Sequence, residues 1–244
     1  MATTDVLGIF AHPDDLELQV GGTVLKLRSL GYTVSALDAT RGEMGTRGTP
    51  EGRAEEAKAA AGILGLRSRE NLGLKDGHTA VDSESKISLV KALRRLKPRL
   101  IITHQLDDPH PDHDHIARLV RESARLSSMK NFDPETGDEK IPVPMVAHNL
   151  FSRNVKPSFI VDISEHLERK MDAIKAYRSQ FHDPNSNEPE TRLTDKNFLA
   201  DVENRSRYFG SLIGVEAGEP YFVREALNIE DPFKLMTRSM NLYS

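Results

Sequence analysis

The chain has 244 residues, 38% hydrophobic and 29% charged, an ordinary balance for a globular domain with a sizeable core. A net charge of −4 with acids and bases interspersed gives no nucleic-acid footprint, and no apolar run reaches the roughly 18 residues of a membrane-spanning helix. There is no cysteine, which excludes disulfides, thiolate nucleophiles and cysteine-held zinc and leaves His, Asp and Glu to hold any metal.

The first residues carry no basic stretch and no small-residue cleavage site, so the expected location is the cytoplasm. Val6-Leu7-Gly8-Ile9-Phe10-Ala11 reads as a buried parallel strand ending at His12-Pro13-Asp14-Asp15. Leu16 to Leu30 reads as a helix stopped by Gly31, and Thr33 to Asp38 as the next strand. A Gly-rich stretch from Arg41 to Pro50 leads to an Ala- and Glu-rich helix from Gly52 to Leu64. Ser85 to Leu96 is helical, Pro98 interrupts, and Leu100 to Thr103 is a buried strand followed by His104.

Further on, 112–128 reads as a helix and 145–151 and 158–163 as strands, with helices over Ser164 to Gln180 and Phe198 to Leu212. Lys130 to Pro144 and His182 to Glu190 read as long loops. Strands alternating with helices predict a single α/β domain over 1–244, with a Rossmann-like, mostly parallel sheet and helices on both faces. Gly21-Gly22 falls inside the first helix rather than in a phosphate loop, which points to close helix packing and away from a nucleotide-binding domain.

Two clusters carry chemistry. In the first, His12 and Asp15 stand three apart across a tight turn where a buried strand meets a helix, so both can converge on one point while Asp14 faces its open side. Read singly, Asp15 could equally cap the helix. In the second, His110-Pro111-Asp112-His113-Asp114-His115 follows the strand ending at Thr103, and His110 and His113 can share one pocket while His115 turns away. Together the clusters supply two imidazoles and a carboxylate with acid and base groups to spare, the three-ligand pattern of a catalytic zinc. The same set could hold ferrous iron in an oxygenase, but the extra Asp14 and His110 favour hydrolysis. His104, His148, Glu43 and Arg47 could line the substrate side or be structural.

These residues resemble the LmbE-like, or PIG-L, zinc deacetylases, whose hallmarks are Ala/Pro-His-Pro-Asp-Asp and a downstream His-x-x-His. The resemblance extends to Gly42 through Glu51, Arg53, Ile63-Leu64-Gly65, Asn71 through Leu74, Tyr177 through Gln180, Ile213-Gly214-Val215 and Gly218-Glu219. Its nearest branch is the bacillithiol-pathway deacetylases of N-acetylglucosaminyl malate. It implies zinc on His12, Asp15 and His113, Asp14 as general base, and His110 as acid or oxyanion stabiliser kept protonated by Asp112. It also implies Arg53 as a sugar contact, the alternative being an ordinary helix-start charge, and a homo-oligomer with a hexamer as the candidate state.

The chain departs from the pattern at Leu16, where the superfamily often has Glu and this branch Ala, and at Pro109, where many branch members carry a basic residue. The expected activity is zinc-dependent hydrolysis of an acetamide on an amino sugar. Neither a nucleic acid nor a membrane is an expected partner. The alternatives are another N-acyl hydrolase on the same scaffold, such as a mycothiol-conjugate amidase or chitobiose-type deacetylase, and a non-heme iron oxygenase.

Overall fold

Buried apolar runs alternate with helices from the first residues onward. In the computed structural model, which describes residues 3–133, 139–151, 156–184 and 186–231 with 233 and 237, β1 (Val6–Phe10) leads into α1 (Asp15–Ser29), and β2 (Val34–Asp38) into α2 (Pro50–Leu64). Then come β3 (Arg69–Asn71), α3 (Ser83–Leu96), β4 (Leu100–Thr103) and α4 (Pro111–Leu126). The last part holds β5 (Met145–Asn149), β6 (Phe159–Asp162), α5 (Leu167–Lys175), α6 (Phe198–Leu212) and β7 (Gly218–Phe222). Among the described residues, no helix is long and apolar enough to cross a membrane.

The strands form one sheet in the order β3-β2-β1-β4-β5-β7-β6. The first five are parallel, and β7 runs antiparallel between β5 and β6. Strand pleating divides the core between two faces. Leu7 and Ile9 pack with Leu89 and Leu93 of α3 and Ile116 and Val120 of α4. Val6 and Phe10 face the other way, towards Leu16, Val20 and Val24 of α1, with Leu64 and Ala173 behind them. The expected mostly parallel sheet with helices on both faces is therefore what forms.

Two expectations shift. β3 and β7 do not appear in the element reading above. The helix expected over Ser164 to Gln180 begins as a 3-10 turn at Ser164–His166, becomes α-helical at Leu167 and ends at Lys175. Of the two expected loops, residues 134–138 and 185 lie outside the described residues.

The glycine pair in α1 does mark close packing. A Cβ on Gly22 would stand 2.6 to 2.9 Å from three Ile163 side-chain atoms, so only glycine lets α1 approach there. Beside it, the Gly22 and Thr23 amides donate to the Glu219 carboxylate at 3.0 and 2.7 Å, and Lys170 Nζ closes on the same group at 2.7 Å. This buried ion pair ties β7 and α5 to α1, the helix that carries the first motif.

Candidate active site

Sheet order reverses about β1, whose neighbours are β2 and β4, and ligands in such folds bind beyond the strand C-termini at that crevice. The sequence places His12–Asp15 just past β1 and His110–His113 at the entry to α4. Both clusters meet there. The Asp15 Oδ2 stands 3.2 Å from His12 Nδ1 and 3.3 Å from His113 Nε2. His12, Asp15 and His113 offer ligand atoms that all lie within 4.8 Å of one another.

The outward nitrogen of each imidazole is held by a carboxylate, the pattern that fixes ring orientation in metal sites. For His113, Asp108 Oδ1 lies 3.2 Å from Nδ1. For His12, Asp76 Oδ1 lies 3.0 Å and Asp112 Oδ2 3.3 Å from Nε2. Neither Asp76 nor Asp108 is among the expected site residues. Asp76 is delivered by the turn after β3, where it also accepts the Met44 amide at 2.8 Å. Behind the site, His104 stacks on His113 with centroids 3.9 Å apart and planes 9° apart. The Ala11 amide donates to His104 Nε2 at 2.8 Å, and burial, then the His113 charge, push that imidazole well below its usual range.

The donor set suits a divalent cation. Asp15, Asp76, Asp108 and Asp112 press on two imidazoles. Burial alone would lower His12, but its carboxylate partners outweigh it and raise it well above the ordinary value. Burial is likewise outweighed at His113, which Asp15 and Asp108 lift to about 9. A cation bound by those nitrogens would answer the same excess of negative charge, and two nitrogens with one carboxylate oxygen is a donor set zinc accepts.

Asp14 sits at the N-cap of α1 with φ 113°, a left-handed conformation that non-glycine residues rarely adopt, and its side chain makes no capping bond. The helix-cap alternative for Asp15 is not realised either, since its Oδ2 instead accepts the His12 amide at 2.9 Å beside the two imidazoles. Arg53 fixes this turn. Its Nη2 donates to the Pro13 carbonyl at 2.6 Å and to Asp14 Oδ2 at 3.2 Å, and its Nη1 to the Gly42 carbonyl at 3.1 Å. Burial lifts the Asp14 carboxyl to about 7 against the pull of Arg53.

His110 is exposed beside His12 and His113, with ring centroids 5.1 and 4.5 Å away. The expected pairing of Asp112 with His110 is not made. Asp112 instead accepts the Gly77 amide at 2.8 Å and the Thr79 hydroxyl at 2.7 Å and faces His12. Burial, then the neighbouring His113, lower His110 rather than raise it.

A cavity of about 1010 Å³ opens over these groups, walled by Met44, Arg47, Gln105, Phe151 and Gln180 and closed by the 191–205 stretch. Of the expected substrate contacts, Arg47 and Arg53 line it. Glu43 does not, because its carboxylate is occupied by the Asp76 and Arg41 amides at 2.9 and 3.2 Å. His104, just after β4, and His148, within β5, are also absent from the lining; both are buried, with His148 Nδ1 donating to the His104 carbonyl at 2.7 Å.

The comparisons agree with this geometry. The family model for PIG-L, the GlcNAc-PI de-N-acetylases, matches residues 7–124, which hold both motifs. A diacetylchitobiose deacetylase of Thermococcus kodakarensis is 32% identical over 189 residues, 72% of this chain and 70% of the relative. The chain belongs to the PIG-L de-N-acetylase family. A second relative, a probable N-acetyl-alpha-D-glucosaminyl L-malate deacetylase 2 of Bacillus anthracis, is 28% identical over 72% of this chain and 81% of its own. The crystal structure of a conserved protein from Thermus thermophilus, TT1542, superposes with a TM-score of 0.83 at 33% identity, covering 93% of this chain and 98% of that one. Both named relatives are deacetylases, and this PIG-L chain is accordingly an amide hydrolase of the deacetylase class.

Proposed function

We propose that the chain removes the acetyl group from an N-acetylglucosamine glycoside with a small aglycone, using zinc held by His12, Asp15 and His113. The observation that carries this reading is the buried Asp14 carboxylate, locked by Arg53 at 3.2 Å beside the metal donors. Zinc, when bound, supplies Lewis acidity for the acetamide carbonyl and a hydroxide nucleophile at neutral pH.

The chain's own residues do the rest. Asp14 takes the proton of the attacking water as its oxygen adds to the acetamide carbon, a role suited to a carboxyl lifted to about 7. His110, exposed at the cavity wall, stabilises the developing oxyanion through its N–H, and Asp14 returns the proton it took to the departing nitrogen. The C–N bond breaks and the products are acetate and a free amine. Asp76, Asp108 and Asp112 orient the two imidazoles; Asp112 acts through His12 rather than through His110.

For the aglycone, N-acetylglucosaminyl malate is the first candidate, supported by the Bacillus anthracis relative. Diacetylchitobiose is the second, favoured by the Thermococcus relative and by the uncharged Pro109 beside His110. The same reading carries one domain over 1–244, a cytoplasmic location and a homo-oligomer. The test is release of acetate and free amine from both glycosides by chelator-stripped protein and by the same protein given zinc. Zinc-dependent release from at least one supports the reading, and zinc-independent or absent release overturns it.

A further inference from the structure

Four arginines line the cavity: Arg47, Arg53, Arg192 and Arg205. Three have committed head groups. Arg53 holds the Asp14 turn. Arg47 donates from Nε to Glu188 at 3.1 Å and from Nη2 to Ser186 at 2.7 Å. Arg205 lies 3.4 Å over the Phe151 ring and donates to the Phe151 carbonyl at 3.3 Å.

Arg192 differs. It is exposed, and its side chain has no hydrogen bond, ion pair or ring contact among the described residues. Its backbone is nevertheless fixed. It opens a 3-10 turn, Arg192–Thr194, closed at both ends by Thr191 and Thr194, each side chain bonding the other's backbone. Leu193 in the same turn packs on the core cluster that holds Phe198 and Val202. No ion pair joins Arg192 to Asp195 or Asp201 among the described residues, and Asp195 already accepts the Asn197 amide at 2.7 Å. The stretch leading to His110 offers no cation, since Asp108 and Pro109 precede it.

We propose that Arg192 recognises a carboxylate on the substrate's aglycone and so sets the preference for an acidic glycoside. The inference rests on the deacetylase reading above. A guanidinium presents two parallel N–H donors that match a carboxylate, and a turn already held in place spares the cost of ordering the backbone on binding. Arg192 thus acts on the aglycone rather than on the reacting atoms, and its effect should fall on KM rather than kcat.

The test compares zinc-loaded wild type, Arg192→Gln and Arg192→Lys on N-acetylglucosaminyl malate and on neutral methyl N-acetylglucosaminide. The preference for malate over the neutral glycoside, as a ratio of kcat/KM, should fall about tenfold in Arg192→Gln through KM, with part retained in Arg192→Lys. An unchanged ratio overturns the proposal. Wild-type turnover of the neutral glycoside alone also overturns it while leaving deacetylation standing. Acetate from neither glycoside overturns both.

Discussion

Arg53 donates to Asp14 Oδ2 at 3.2 Å and, through the same nitrogen, to the Pro13 carbonyl at 2.6 Å, so one guanidinium holds both the base and the turn beneath it. Asp14 keeps a φ of 113° under that restraint. Local strain of this kind persists only where surrounding contacts over-determine it. Arg53→Gln should therefore lower kcat by about a hundredfold, the scale of a misplaced catalytic group, while bound zinc is retained. Steady-state kinetics with metal analysis checks this. A rise in KM at unchanged kcat would instead assign Arg53 to the sugar.

Metal binding should release protons. In the metal-free pocket His12 is raised well above its ordinary value and His113 is lifted to about 9, so near neutral pH His113 carries a proton that a metal must displace and His12 is biased towards carrying one. The affinity for zinc should therefore strengthen as pH rises from 6 to 8, by roughly tenfold per pH unit for each proton displaced. Calorimetry in buffers of different ionisation enthalpy counts the protons. One to two per zinc is expected, and none would contradict the reading of His12 and His113.

The glycine pair of α1 makes a stability prediction. Gly22→Ala puts a methyl within 2.9 Å of Ile163 atoms in a packed region. Overpacking of this kind costs about 1–3 kcal/mol, and thermal or urea unfolding should show the loss. Gly62→Ala, whose Cβ meets nothing within 4 Å, should be stabilising or neutral in the same measurement.

Lys170 and Glu219 form a buried pair at 2.7 Å, and Glu219 also takes the Gly22 and Thr23 amides. Lys170→Met leaves that carboxylate buried without its cation and should cost about 3–5 kcal/mol. Adding Glu219→Gln removes the stranded charge while keeping an acceptor for one amide. The double variant should therefore be more stable than Lys170→Met alone, as measured by chemical denaturation.

Much of this arrangement was legible because its signals are local. Val6–Phe10 and Leu100–Thr103 are short apolar runs, and the histidines and aspartates that follow them stand at strand ends by position alone. β3 was not legible because Arg69-Glu70-Asn71 is a polar three-residue edge strand, formed by pairing with β2 rather than by its own pattern. β7 contains Gly218, Glu219 and Pro220, residues that argue against a strand, and it is held there by its neighbours β5 and β6.

At the site, motif spacing brought out His12, Asp14, Asp15, His110 and His113. Asp76 had no such signal: it lies in a turn 64 residues beyond His12, and only the tertiary fold brings them to 3.0 Å. Asp108 was within reach, as one of two aspartates between β4 and the histidine cluster. The Asp112–His110 pairing followed from closeness in sequence, but the turn at Gly77 and Thr79 claims Asp112 first.

Everything proposed for the reaction depends on Asp14 being the base of a metal-dependent deacetylation. Acetate release from N-acetylglucosaminyl malate and diacetylchitobiose by zinc-loaded wild type and Asp14→Asn, at equal measured zinc content, tests it most directly. The variant should keep its zinc and lose at least about a hundredfold in kcat. Turnover by Asp14→Asn at the wild-type rate and full zinc occupancy would contradict it.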